Sequence, residues 1–222
     1  VDVLVGGPGR AFLGDSLRAG RFADLSDRLP AELASATEPL LADFNGDGRT
    51  DIVLPGEPLR FWTQTEEGRY EAVAVTGAGD GVPVAVDLDL DGSVDLVFGD
   101  GARLAFGLVQ RTGASLEGLA AGETPLVLDA DGDWIPDLLR ATPDGVSLLR
   151  AEGARGGGCP IKLLGNRSNK RGMGSIVEVR AGGMYRRIYY RGEPVIVGRG
   201  AAPGLDVLRI TYPNGIMASK LD

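Results

Sequence analysis

One nine-residue stretch occurs three times in this chain and limits what it can fold into. It reads Asp43-Phe44-Asn45-Gly46-Asp47-Gly48-Arg49-Thr50-Asp51, then Asp87-Leu88-Asp89-Leu90-Asp91-Gly92-Ser93-Val94-Asp95, then, altered, Asp129-Ala130-Asp131-Gly132-Asp133-Trp134-Ile135-Pro136-Asp137. The starts lie 44 and 42 residues apart. Oxygen-bearing side chains at positions 1, 3, 5 and 9 of a tight loop, with a backbone carbonyl at position 7, form a hard-donor cage suited to calcium. The candidate ligands are Asp43, Asn45, Asp47, the Arg49 carbonyl and Asp51 in the first loop, and Asp87, Asp89, Asp91, the Ser93 carbonyl and Asp95 in the second. In the third they are Asp129, Asp131, Asp133 and Asp137. Carboxylates this close repel one another unless a cation lies among them. A solvated Asp/Gly turn explains one copy but not three in the same phase. Calcium is therefore expected in the first two loops. In the third, Trp134 replaces the position-6 glycine and Pro136 follows at position 8, which leaves open an ion site or a degenerate repeat kept for its packing.

An EF-hand would carry a bidentate Glu at position 12 and would be flanked by helices. Position 12 here is Leu54, Phe98 and Arg140. The loops also run into Asp-Ile-Val-Leu, Asp-Leu-Val-Phe and Asp-Leu-Leu, which read as short buried strands. Each loop is preceded by a short apolar segment, residues 39–42, 83–86 and 125–128, and its exit strand is followed by turn residues and a third strand (59–62, 103–106, 146–149). In the best-kept copy a fourth candidate follows at 69–75. Four short strands in about 43 residues is the size of a β-propeller blade. A sandwich or a β-solenoid has the same strand density. At the start of the chain, Asp2 followed by Val3-Leu4-Val5 resembles the last loop position and exit strand of an earlier repeat, so a processed or fragmentary chain is expected.

Charge separates the two ends of the chain. Residues 1–158 carry 12 basic and 27 acidic side chains, whereas residues 159–222 carry 11 and 4. The run Gly156-Gly157-Gly158 marks the change, so domains are expected at 1–155 and 159–222. The acidity of the first disfavours nucleic acid as its partner. Histidine is absent, which removes His-based triads, zinc sites and haem ligation by His. The single Cys159 cannot form an internal disulfide and fits no redox or metal motif. No run of eighteen apolar residues would span a membrane, and the opening residues lack the pattern of a signal peptide.

The segment Asp-x-Asn-x-Asp-Gly-x-x-Asp-Ile-Val-Leu, at this repeat length, resembles the FG-GAP or VCBS repeat of integrin-like calcium-loop propellers. Residues 9–13 and 20–25 are similar to the middle strands of such a repeat. The resemblance covers roughly residues 1–150 and implies a partial β-propeller of four-stranded blades with Asp-rich calcium loops. Such propellers close with about seven blades, so an open fragment implies further blades upstream or completion by another chain.

Residues 159–222 abandon the repeat for alternating strands, expected at 176–180, 185–190, 194–197 and 207–211. Leu164-Gly165, Ser168-Asn169, Gly172 and Gly174, with the turn Tyr212-Pro213-Asn214-Gly215, are similar to the ASPIC/UnbV module that follows VCBS repeats in the cartilage acidic protein family. Tyr212 stands where that family has Trp, and Val197-Gly198-Arg199-Gly200 where it has Phe-Gly-Leu-Gly. A small, sandwich-like β-rich domain is implied. The basic residues Arg167, Lys170, Arg171, Arg180, Arg186, Arg187 and Arg191 form a polyanion site, a solvated basic face, or a face that docks on the acidic half of the same or a neighbouring chain.

The expected function is a non-catalytic, calcium-binding adhesion or scaffold module outside the cell, at its surface or in a periplasm, that meets a protein or glycan partner. The alternatives are a structural subunit of a surface or filament assembly, and a propeller enzyme acting on polysaccharide through paired carboxylates. The loops claim nearly all the carboxylates that such an enzyme would need.

Overall fold

The structure, a computed structural model, describes residues 3–7, 10–16, 21–35, 38–75, 81–99, 102–105, 111–115, 124–151, 157–165 and 169–221. The fold is all-β, built of several small antiparallel sheets, with no closed barrel among the described residues. The chain forms two compact units that part within the first Asp loop. Residues 1–42 and 49–75 make the first, and residues 43–48 and 76–222 the second. Of the boundary expected at Gly156-Gly157-Gly158, residue 156 lies outside the described residues, and Gly157 and Gly158 fall within the second unit.

In the first unit, β1 (Val3–Gly7), β2 (Arg10–Ser16) and β3 (Phe22–Asp24) form a three-stranded meander. Two short 3-10 turns, Ser26–Arg28 and Ala31–Ser35, follow. The next meander is β4 (Leu40–Ala42), β5 (Asp51–Leu54), β6 (Arg60–Gln64) and β7 (Tyr70–Val73). Every residue of β5 is buried, as its unbroken apolar run requires of a strand covered on both faces. Its Ile52 and Leu54 pack with Leu33 and Trp62, and with the half-buried Leu29 and Tyr70.

The second unit repeats the pattern. β8 (Val84–Val86), β9 (Asp95–Val97), β10 (Ala102–Ala105) and β11 (Arg111–Ser115) form a four-stranded meander, and β12 (Leu126–Leu128), β13 (Asp137–Thr142) and β14 (Gly145–Leu149) a three-stranded one. Leu88, Val97 and Leu138 share one core cluster, with Val84, Val86 and Leu149 packed against it. The strands expected before and after each loop are present within three residues of their expected limits. The expected fourth strand at 69–75 is β7.

The last stretch of the chain is a separate pair of sheets. β15 (Gly158–Ile161) pairs with β18 (Val195–Gly198). β16 (Ser175–Ala181), β17 (Met184–Tyr190), β19 (Val207–Thr211) and β20 (Met217–Leu221) form a sheet in the order β17-β16-β19-β20. Alternate residues of β16, namely Ser175, Val177, Val179 and Ala181, are buried. Val177 and Val179 join Ile161, Leu163, Tyr190 and Val197 in a core. Tyr190 is fully buried, and its hydroxyl accepts the Leu163 amide at 3.1 Å. Sequence reading missed β11, β15 and β20. Replacing Tyr190 by Phe keeps the ring packing but orphans a buried N–H, so the Tyr190→Phe variant should lose about 1–3 kcal/mol of stability in denaturant unfolding.

Candidate metal centre

The three Asp loops share one backbone. The residue at position 4 has a positive φ in each (Gly46 74°, Leu90 57°, Gly132 82°), and so has the residue at position 6 (Gly48 85°, Gly92 96°, Trp134 64°). A non-glycine residue there carries a cost of order 1–2 kcal/mol. Leu90 offsets that cost by being 1% exposed; Trp134 is 45% exposed. The third loop thus keeps the turn in spite of its tryptophan.

Backbone amides hold the carboxylates of this turn in place. The position-1 Asp accepts the position-6 amide in every copy: Gly48 N to Asp43 Oδ2 at 2.9 Å, Gly92 N to Asp87 Oδ2 at 3.1 Å, and Trp134 N to Asp129 Oδ2 at 3.3 Å. The position-9 Asp accepts the position-2 amide, Leu88 N to Asp95 at 3.1 Å and Ala130 N to Asp137 at 2.9 Å. Asp51 and Asp137 also anchor a later part of their own sheet, through the amides of Gln64 at 3.0 Å and Ala151 at 2.9 Å. Asp47 and Asn45 interact directly, the Asn45 amide donating to Asp47 Oδ2 at 2.8 Å. Arg49 donates its Nε to the Gln64 carbonyl at 2.8 Å. Asp91 accepts the Ser93 amide at 2.8 Å, and Asp133 that of Ile135 at 2.8 Å.

Two triads gather their oxygens within 4.8 Å of one another: Asp87, Asp89 and Asp95 in the second loop, and Asp129, Asp131 and Asp137 in the third. Each could hold a metal ion. The third loop, left open by its sequence, is therefore one of the two that assemble three carboxylates. The first has Asn45 where the others have their second Asp.

The second loop is the more deeply placed. Asp87, Asp95 and Leu90 are buried, and Oδ1 of Asp87 has no hydrogen-bond partner. Burial pushes the Asp87 carboxyl up to about 6; Arg186 beside it works in the opposite sense, while Asp91 and Asp89 add to the rise. Asp43 is also raised, chiefly by burial. A buried carboxylate with a bare oxygen beside two others is a donor set that a hard divalent cation satisfies. The third loop is nearer solvent. There Arg150 pairs with Asp131 and holds its carboxyl below the usual range.

Two elements of the C-terminal stretch reach the loops. Gly198 N, at the end of β18, donates to Asp87 Oδ2 at 3.2 Å, and Gly200 N to the Leu90 carbonyl at 3.0 Å. Arg186 Nη1 donates to the Gly92 carbonyl at 3.0 Å and lies 3.9 Å from Asp87 Oδ2. A cleft of about 440 Å³ runs between the first two loops and β17, bordered by Asn45, Asp91, Ser93, Tyr185 and Arg199. Sequence reading grouped Arg186 with a general basic cluster and missed its link to a particular loop. The rest of that cluster divides. Arg187 is shared between the Gly48 carbonyl and the Tyr189 ring, Arg180 lies over Tyr185, and Arg171 pairs with Glu193. Arg167 lies outside the described residues.

No protein-family model and no curated protein matches this chain. Among the described residues, no helix is long and apolar enough to cross a membrane.

The raised Asp87 carboxyl gives the calcium-free protein a signed pH dependence. Unfolded, Asp87 titrates near 3.8; folded, near 6. In that interval the folded chain holds a proton that the unfolded chain has lost, so this stability is complete below the lower value and disappears as pH rises through the upper one. Chemical denaturation in a chelator should show stability falling by up to roughly 3 kcal/mol between these limits. The Asp87→Asn variant should show a flatter profile there.

Proposed function

We propose that this chain is a non-catalytic calcium-binding module of the FG-GAP/VCBS type carrying an ASPIC/UnbV-like domain, and that it serves adhesion or scaffolding outside the cell through a protein or glycan partner. The observation that carries the reading is the pair of Asp triads built on one repeated backbone, the second with a buried carboxylate oxygen lacking a partner. Successive four-stranded antiparallel meanders, with a loop between the first two strands of each, support blades of a partial propeller. Calcium between the carboxylates would cancel their repulsion and pin the turn, so that its binding energy adds to folding energy. Two loops are assigned calcium on their triads, and the first on its sequence pattern. The absence of histidine and the commitment of the carboxylates to the loops support a role without catalysis.

Thermal unfolding tests this directly. Millimolar calcium should raise the melting temperature by several degrees, with a smaller rise in Asp89→Ala and in Asp131→Ala. An unchanged melting temperature in the parent protein would overturn the metal assignment.

One surface favours a second reading, in which the sheets are completed by another chain. Leu126, Val146 and Leu148 are 66%, 72% and 43% exposed. The register of β12, β13 and β14 puts them on one face, around Leu139 and Ala141. An apolar face of this kind suits a neighbouring sheet. Sedimentation velocity distinguishes the two: a concentration-dependent shift that Val146→Lys abolishes supports assembly, and a monomer at all concentrations supports the isolated module.

A further inference from the structure

The edge strand β17 sits between two acidic loops and presents a different pair of side chains to each. Strand alternation puts Tyr185 and Arg187 on one face and Met184 and Arg186 on the other. Tyr185 closes on the first loop so tightly that a Cβ at Gly48 would meet its ring at 2.6 Å. Met184 does the same to the second loop, where a Cβ at Gly92 would meet its Cγ at 2.7 Å. Between these contacts the Arg186 side chain is 13% exposed and faces Asp87, which is 4% exposed. Its charge is also felt by Asp43, Asp95 and Asp91. Few arginines are buried this far without carboxylate company, and few carboxylate clusters without a cation.

The two oxygens of Asp87 have different duties. Oδ2 accepts the amides of Gly92 and Gly198 and faces Arg186, while Oδ1, without a hydrogen bond, is left for another donor or a cation. Asp87 therefore belongs at once to the carboxylate triad and to the docking of the C-terminal sheets.

We propose that Arg186 is a resident counter-ion of the second Asp loop: it neutralises Asp87 and its neighbours when calcium is absent, keeps β17 docked on the loop, and by like-charge opposition lowers that loop's affinity for calcium. This rests on the calcium reading above. The guanidinium is tethered and carries one charge; calcium carries two and is free to leave. The loop is thereby held folded at low calcium, and calcium must bind against a fixed positive charge. Arg150 on the third loop is the contrasting case, since its side chain is 56% exposed and water screens its charge.

Calcium titration of the full chain by calorimetry, together with melting temperatures in a chelator, tests the proposal in Arg186→Met, Arg186→Lys and Arg150→Met. Arg186→Met should bind calcium roughly tenfold more tightly at one site only, and its calcium-free melting temperature should fall. Arg186→Lys should return both quantities toward the parent values, and Arg150→Met should leave the Asp87 site unchanged. If Arg186→Met is unfolded without calcium, it is prepared in calcium and the release of the ion to a chelator is timed; slower release than from the parent protein is expected. A parent protein that binds no calcium overturns the calcium reading and the affinity effect with it. A parent that binds calcium, with an Arg186→Met variant that binds no more tightly or releases no more slowly, overturns this inference alone.

Discussion

Crowded carboxylates set the terms for everything else in this protein. Three Asp oxygens within 4.8 Å of one another repel strongly unless they are compensated, and two loops hold such a triad. The compensation is local first. Backbone amides at positions 2 and 6 turn their N–H groups onto the position-9 and position-1 carboxylates, as a sharp turn with two left-handed residues allows. Arginine supplies the remainder, from the same sheet in the third loop and from a strand almost a hundred residues further on in the second. The strands leaving the first two loops are short and buried, so those loops cannot relax by moving away from their sheets.

The same compensation joins the repeats to the C-terminal sheets. Among the described residues β17 is an edge strand of its sheet, a position that commonly invites pairing with other chains. Here the neighbouring acidic loops cover it, through Tyr185 and Arg187 on one side and Met184 and Arg186 on the other. The β18 end adds two backbone amides, on Asp87 and Leu90. Glycine at 198 is required because a Cβ there would meet Asp87 Oδ2 at 2.3 Å. Residue 198 can have no side chain because the first Asp of the loop occupies that space.

Much of this was legible in the sequence. The period of the Asp loops, the apolar runs after them and the alternation at 176–180 located most strands, because burial and pleat dictate those patterns directly. The split charge balance hinted that a basic segment would meet an acidic one. The identity of the meeting residue was not legible, since Arg186 and Arg187 are adjacent and only strand register decides which faces the second loop. Nor did the sequence reveal that the third loop gathers a triad: a tryptophan at position 6 argues against the turn, and only the backbone shows that the turn survives. β15 and β20 were missed because Gly158-Cys159-Pro160-Ile161 and Met217-Ala218-Ser219-Lys220-Leu221 carry no clear alternation and take their conformation from the strands they pair with.

The left-handed pair at positions 4 and 6 has a consequence for how such loops are recognised. Gly46 and Gly48 fill both places in the first loop, Gly92 only the second place in the next, and Gly132 only the first place in the last. The turn tolerates one side chain at either place, buried as with Leu90 or half in water as with Trp134. A pattern that demands glycine at position 6 alone would pass over the third loop. One that asks for glycine at either of the two places, two residues apart between the same acidic ends, would recover all three.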